Sequence, residues 1–183
     1  MLAQAPVHAG IRYLEAPAEQ VPLESQTVDL ITVSLAFHWF DRSRFLPEAH
    51  RLLRAGGALV IYSNGFLGRM NDNPDFERWH RERYLTRYPT PPRNNQPFTD
   101  EDASRYGFTF SGRESYTNEI AFSAEQLACY LMTQSNVIAA VEQGSESPEA
   151  VYSWLLDSVS PLFRATTATF PFGGEIWYLR KRT

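Results

Sequence analysis

Two clusters of residues in this sequence are of the types that chemistry needs. The first is His38-Trp39, inside the run LAFHWFD. An imidazole can take a proton near neutral pH, and an indole beside it supplies a flat apolar wall. Histidine next to tryptophan is also a common packing arrangement, so the pair alone names no reaction. The second is the segment 64–107, rich in aromatic, Pro, Asn and Arg residues. Phe66, Trp79 and Tyr84 offer apolar contact there, and Arg69 or Arg93 could grip an anionic group through two parallel hydrogen bonds. That combination suits a pocket for a small organic molecule, with core packing as the plain alternative for the rings. Other candidates read as structural. His50 is solvent-facing or a packing residue, Glu48 and Arg51 form a surface or helix-end pair, His80 sits on a half-solvated helix, and Cys129 is a small core residue.

The chain around these clusters has 183 residues, 43% of them hydrophobic and 21% charged, which fits one ordinary domain, 1–183. Its formal net charge is −4, with Lys and Arg scattered, which argues against nucleic acid as a partner. One cysteine permits neither an internal disulfide nor a thiolate metal cage, and no metal site is expected. No apolar run is long enough to span a bilayer, and MLAQAPVHAG lacks the pattern of a signal peptide, so the expected compartment is the cytoplasm.

Along the chain, Met1–Ala9 could be the tail of a helix, and the alternation in Ile11–Glu15 predicts a strand. Val28–Ser34 is a nearly continuous β-branched run, as in a strand covered on both faces of a parallel sheet. Asp41 or Ser43 should cap a helix through FLPEAHRLLR, with Pro47 early and Gly56-Gly57 as the stop. Ala58–Ser63 completes a βαβ unit. Beyond it the pattern predicts a helix from Asn73-Pro74, an exposed loop over YPTPPRNNQPF and a strand around Ser111–Glu119. Two more helices should open at Ser123 and Ser147. A final strand, Glu175–Lys181, should be reached by a hairpin-like Gly173-Gly174 and run antiparallel beside Ala58–Ser63.

Four pieces stand in order: Ala18-Glu19-x-x-Pro22, Val28-Asp29-Leu30, Ala36-Phe37-His38-Trp39-Phe40-Asp41, and Glu48-x-x-Arg51-x-Leu53-Arg54-x-Gly56-Gly57. Together they resemble the type 11 class I S-adenosylmethionine-dependent methyltransferases, in the branch similar to trans-aconitate methyltransferase. The resemblance is strong over residues 1–63 and weaker beyond. It implies a partial Rossmann-like α/β sheet with helices on both faces, a C-terminal antiparallel strand pair and methyl transfer to a small organic acceptor, for which Arg69 or Arg93 would favour a carboxylate. It also implies a site at the carboxyl ends of the strands. Ala18 and Glu19 would lie beside the cofactor's adenine, Ser34, Leu35 and Ala36 at its amino acid end, and His38 and Trp39 over the methyl donor. Segment 64–107 would overhang the reaction centre as a substrate lid, and His38 would be the nearest base for a hydroxyl or amine acceptor.

Two departures matter. Pro17 stands where the family often has an Asp for the adenine amino group. The sequence also has no Gly-x-Gly, the turn that lets backbone approach the cofactor in this family. By the family pattern, two strands, a helix and that turn would precede Met1. The chain is therefore expected to bind cofactor weakly or not at all, with Val28–Ser34 left as an apolar edge that rearrangement or self-association, as in a homodimer, would cover. The alternative to an enzyme is a non-catalytic, methyltransferase-like remnant that folds and self-associates.

Overall fold

The computed structural model describes residues 5–92 and 96–182. Elements follow in the order β1 (Val28–Ser34), α1 (Arg42–Leu52), β2 (Leu53–Tyr62), β3 (Gly65–Phe66), α2 (Pro74–Trp79), α3 (Leu85–Arg87) and α4 (Asp100–Arg105). Then come β4 (Phe108–Phe122), α5 (Ala124–Met132), α6 (Ser135–Glu142), α7 (Pro148–Val159) and β5 (Ala168–Lys181). The strands form one five-stranded sheet in the order β1-β2-β5-β3, with β4 also paired to β5. As the alternation of strand and helix predicts, β1 and β2 are parallel, with Ile31 beside Leu59 and Val33 beside Ile61. β3 and β5 are antiparallel, with Gly65 opposite Gly173.

The chain divides into two compact units, one of residues 1–62, 95–113 and 177–183, the other of 63–94 and 114–176. The segment 64–107 is thus shared between them. The first unit closes around Val33, Phe37, Phe45, Leu46, Leu59, Phe98 and Phe108. Asp41 caps α1 by accepting the Ser43 N–H at 3.0 Å, and Lys181 Nζ donates to the carbonyls of His50 and Leu53 at the other end. The second unit is an aromatic core: Phe76, Trp79, Tyr84, Tyr88 and Phe170 lie among Leu127, Leu131, Val151 and Leu155.

Several expectations are corrected. Ile11–Glu15 is not a strand, and Ile11, Tyr13 and Leu14 are exposed. Of the helix tail expected over Met1–Ala9, residues 5–9 are not helical, and residues 1–4 lie outside the described residues. Leu53, fully buried and extended, ends α1 and starts β2, so Gly56-Gly57 falls within a strand. Pro47 lies inside α1, beyond its first turn. Gly173-Gly174 makes no hairpin but sits mid-strand in β5. A Cβ on Gly174 would stand 2.5 Å from the Ser63 carbonyl oxygen, and one on Gly173 would stand 2.5 Å from that of Tyr116. These glycines serve close backbone approach, which turn chemistry does not reveal. The long helix expected from Ser123 breaks at Thr133-Gln134, and α4, capped reciprocally by Thr99 and Asp102, was not foreseen.

Candidate functional site

In the first unit, the loop leaving β1 carries most of the expected cofactor residues. Leu35 adopts φ 51°, a left-handed conformation costly for a branched side chain, and its N–H still donates to the Tyr62 carbonyl at 3.0 Å. That bond fixes where the loop departs from the sheet. A single helical turn over Phe37–Trp39 follows. Phe37 is its anchor: buried, it meets Phe98 at 5.3 Å and Phe45 at 6.1 Å edge-on, with the Arg42 guanidinium 4.7 Å from its ring. The anchored turn holds His38 half-buried and Trp39 54% exposed, their rings 4.8 Å apart.

Glu19 is tied to the same loop, its carboxylate accepting the Asp41 N–H at 3.1 Å. Asp41 itself is held below the usual carboxylate range, chiefly by the Ser43 hydroxyl. Ala18, Ser34 and Ala36 share the lining of an apolar groove of about 400 Å³, completed by residues such as Val21, Leu30 and Phe40. The structure therefore brings Ala18, Ser34 and Ala36 together at one groove, and joins Glu19 to the loop that bears Leu35, His38 and Trp39.

The Glu48–Arg51 pair does more than a surface ion pair would. Glu48 accepts from Arg51 at 2.7 Å and from the Val21 N–H at 2.8 Å, while Arg51 also donates to the carbonyls of Val21 and Leu23. The Arg51 hydrogen bond holds the Glu48 carboxyl below its ordinary value. The pair thereby pins the 21–25 loop whose Val21 and Leu23 wall the groove.

The second unit reassigns the expected substrate residues. Tyr84 is 2% exposed and donates to Asn136 Oδ1 at 3.2 Å, and burial pushes its hydroxyl pKa up. Trp79 is 4% exposed, stacked between Tyr84 and Trp154, and its buried indole N–H meets no acceptor among the described residues. Both are core rings because their helix turns them inward, where apolar contact offered to a ligand is spent on packing. Phe66 is half-buried against His80, Tyr130 and Phe172. Arg69 is exposed, and Arg93 lies outside the described residues. Cys129 is exposed rather than core.

Asn64 was not singled out from the sequence, and His80, read as sitting on a half-solvated helix, is half-buried in a helical turn. His80 lies in a π-helical turn, stacked 5.3 Å from Tyr84, and fits only because Gly68 has no side chain: a Cβ there would stand 2.5 Å from the ring. Burial lowers its pKa. Asn64 follows β2, and its Oδ1 is buried without a partner among the described residues. Its position just past a strand end was the available signal. Among the described residues, no group of three or more His, Cys, Asp or Glu could hold a metal ion, and no helix is long and apolar enough to cross a membrane.

Residues 1–61 match the type 11 family described as a methyltransferase domain. That stretch contains β1, the loop after it, α1 and nearly all of β2. A Dictyostelium discoideum protein provisionally named a methyltransferase is 40% identical over 75 residues, 41% of this chain and 28% of its own length. An uncharacterized methyltransferase of Schizosaccharomyces pombe is 31% identical over 110 residues, 60% of this chain and 42% of its own length. The chain thus spans less than half the length of either relative. A solved structure from Anaeromyxobacter dehalogenans, provisionally named a type II methyltransferase, matches with a TM-score of 0.68 at 22% identity, covering 99% of this chain and 75% of that one. At that identity the likeness shows the fold alone, a Rossmann-like α/β arrangement.

Proposed function

We propose that this chain takes part in S-adenosylmethionine-dependent methyl transfer to a small organic acceptor. The observation that carries the reading is the methyltransferase-domain match, which falls on the β1–α1–β2 unit and on the loop holding Leu35, His38 and Trp39. Ligands of open α/β sheets sit at such strand ends. The cofactor supplies a methyl group on a sulfonium. The groove at Ala18, Ser34 and Ala36 suits an apolar ring, but none of its lining residues is a carboxylate that could hold ribose hydroxyls. The residues present fit the group only in part, so no catalytic step is routed through it.

The chain's own loop supports a division of acceptors. A carboxylate is already nucleophilic and needs no base, whereas a hydroxyl or amine would give its proton to His38. Exposed Arg69, whose guanidinium can grip a carboxylate through two parallel hydrogen bonds, favours a carboxylate acceptor. Net charge −4 favours a small molecule over nucleic acid, and we place the protein in the cytoplasm, away from membranes. The carboxylate-free groove favours a second reading, a methyltransferase-like remnant that folds without binding cofactor. Incubating the chain with methyl-labelled S-adenosylmethionine and panels of carboxylic acids, phenols and amines separates the two. Transfer to a carboxylic acid, insensitive to His38→Ala, is expected on the first reading. No transfer to any acceptor by folded protein would select the second.

A further inference from the structure

We propose that the second unit carries a pocket of its own for a small zwitterion, a free α-amino acid with an aromatic side chain. The pocket is built from that unit alone, residues 63–94 and 114–176, and stands whether or not the chain transfers methyl groups. Its volume of about 470 Å³ lies within the range of small-molecule sites. Every lining residue belongs to one of two stripes with helical spacing, one from Asp75 to Arg83 and the other from Trp154 to Leu162. The walls are therefore single faces of two helical segments. Both ends are fastened. Asn73 Nδ2 donates to the Leu162 carbonyl at 2.7 Å, while its Oδ1 caps α2. At the other end Arg87 Nε donates to Glu146 at 3.1 Å, just ahead of α7, and its guanidinium lies 4.6 Å from the Trp154 ring. The two segments are held antiparallel, and the space between them is preformed.

Trp79 has Tyr84 on one face at 5.8 Å and Trp154 on the other at 6.4 Å. Residues five apart diverge by about 140° on an ordinary α-helix. The wider π-helical turn over His80–Tyr84 brings Trp79 and Tyr84 back to one side. With both faces covered, Trp79 meets the pocket through its edge, and its one polar atom, the indole N–H, has no acceptor among the described residues. A buried donor left unpaired is costly, so a ligand that brings an acceptor gains there.

The charges define the rest of the ligand. Asp75 is paired with Arg78 at 2.7 Å, and Glu82 with Arg81 at 2.9 Å. Arg83 and Asp157 remain, facing one pocket from opposite helical segments with no ion pair to each other or to any other described residue. Arg83 and the Trp79 N–H, donors four residues apart on one helical face, suit a carboxylate. Asp157, across the pocket on α7, suits an ammonium. Half-buried Trp154 and Leu162 supply apolar wall for a flat side chain. A ligand with a single charge would leave Arg83 or Asp157 without a partner, and a phosphate would set a second negative charge against Asp157.

The probe is L-phenylalanine, with 3-phenylpropionate and phenylalanine amide as analogues lacking the ammonium and the carboxylate respectively. Binding is read from the indole N–H signals of the whole chain in a nitrogen–proton correlation spectrum, with Trp79→Phe and Trp154→Phe identifying their signals. L-phenylalanine should shift both saturably, that of Trp79 the more, because its N–H gains an acceptor. Each analogue should bind about tenfold more weakly or worse. L-phenylalanine should lose as much in Arg83→Gln and in Asp157→Asn, changes at exposed side chains that leave the melting temperature unaltered. In Asp157→Asn, 3-phenylpropionate should bind as it does to the parent, since it has no ammonium to lose. Absence of a saturable shift at either indole overturns the proposal. So does binding that both charge variants leave unchanged, or analogues that bind as tightly as L-phenylalanine.

Discussion

Aromatic residues occupy both units, but they are used differently. In the unit holding β1, α1 and β2, one ring of the FHW turn, Phe37, is buried, and its neighbour Trp39 is left 54% exposed. In the unit holding α2 and α5–α7, rings are enclosed: Phe76 and Tyr88 at 0%, Tyr84 at 2%, Trp79 at 4%. The first arrangement leaves chemistry-bearing side chains at a strand end. The second spends them on a core. Residue type alone does not separate the cases, and the element that carries the ring does. A loop leaving a strand must return, so it can seat alternate residues inward and outward. A helix seats a whole face.

The sharpest way to break this comparison is to disturb the second unit where it has no slack. Gly174→Val would drive a side chain into the Ser63 carbonyl and hydroxyl, and is expected to destabilise by about 3 kcal/mol or more, read as a lost or strongly lowered chemical-denaturation midpoint. A midpoint within error of the parent would show that the close approach is not real.

Next in size are the reassigned rings. Tyr84→Ala should cost roughly 3–5 kcal/mol by cavity formation and by orphaning Asn136. Trp79→Ala should cost about as much, but Trp79→Phe distinctly less, because the indole N–H it removes has no acceptor among the described residues. If Trp79→Ala folds with parental stability, the ring belongs to a binding surface after all.

A smaller effect separates the groove's walls from its floor. Glu48→Ala removes a charged acceptor for Val21 and Arg51, and a cost of about 1–3 kcal/mol is expected, with faster amide exchange over residues 21–25. Unchanged exchange there would return the pair to the status of surface decoration.

The smallest effect is a pH dependence. Burial lowers the His80 pKa in the folded chain, with the Glu77 carboxylate opposing that shift, so the unfolded chain binds the proton more readily. The resulting stability is complete above the unfolded value of about 6.5 and is lost as pH falls below it toward the folded pKa. His50, lowered by burial and by Lys181, acts in the same direction. Glu48 and Asp41, held low, lose their contributions only in more acidic solution. His80→Phe should therefore flatten the melting temperature between pH 6.5 and 5 relative to the parent, and an identical slope would assign the dependence elsewhere.

The sequence made the βαβ unit legible because its signals are local. A β-branched run, an Asp cap and a second apolar run each declare an element within a few residues, and the Ser34–Trp39 loop follows from where the run stops. Ala18 could be joined to that loop only through the family resemblance, since the Glu19 contact to Asp41 spans residues far apart in the chain. Gly173-Gly174 and Gly68 misled or were overlooked for one reason. Their need for space comes from Ser63, Tyr116 and His80, which no local pattern places beside them. Trp79 and Tyr84 were misread because a charge-rich helix, PDFERWHRERY, looks solvated when its rings are in fact its buried face. Ile11–Glu15 alternates like a strand but has no neighbour to pair with among the described residues.

The proposed function places a methyltransferase-type site at the strand end of the first unit, completed only in part by the residues present. Calorimetric titration of the 183-residue chain with S-adenosylmethionine tests it most directly. On the proposed reading, in which several hydrogen bonds to the ribose and amino acid end go unsupplied, each worth ~0.5–1.5 kcal/mol, affinity should be weakened by roughly a hundredfold or more relative to a complete site. Binding far weaker than micromolar is the expected result, and saturable binding with low-micromolar affinity would contradict it.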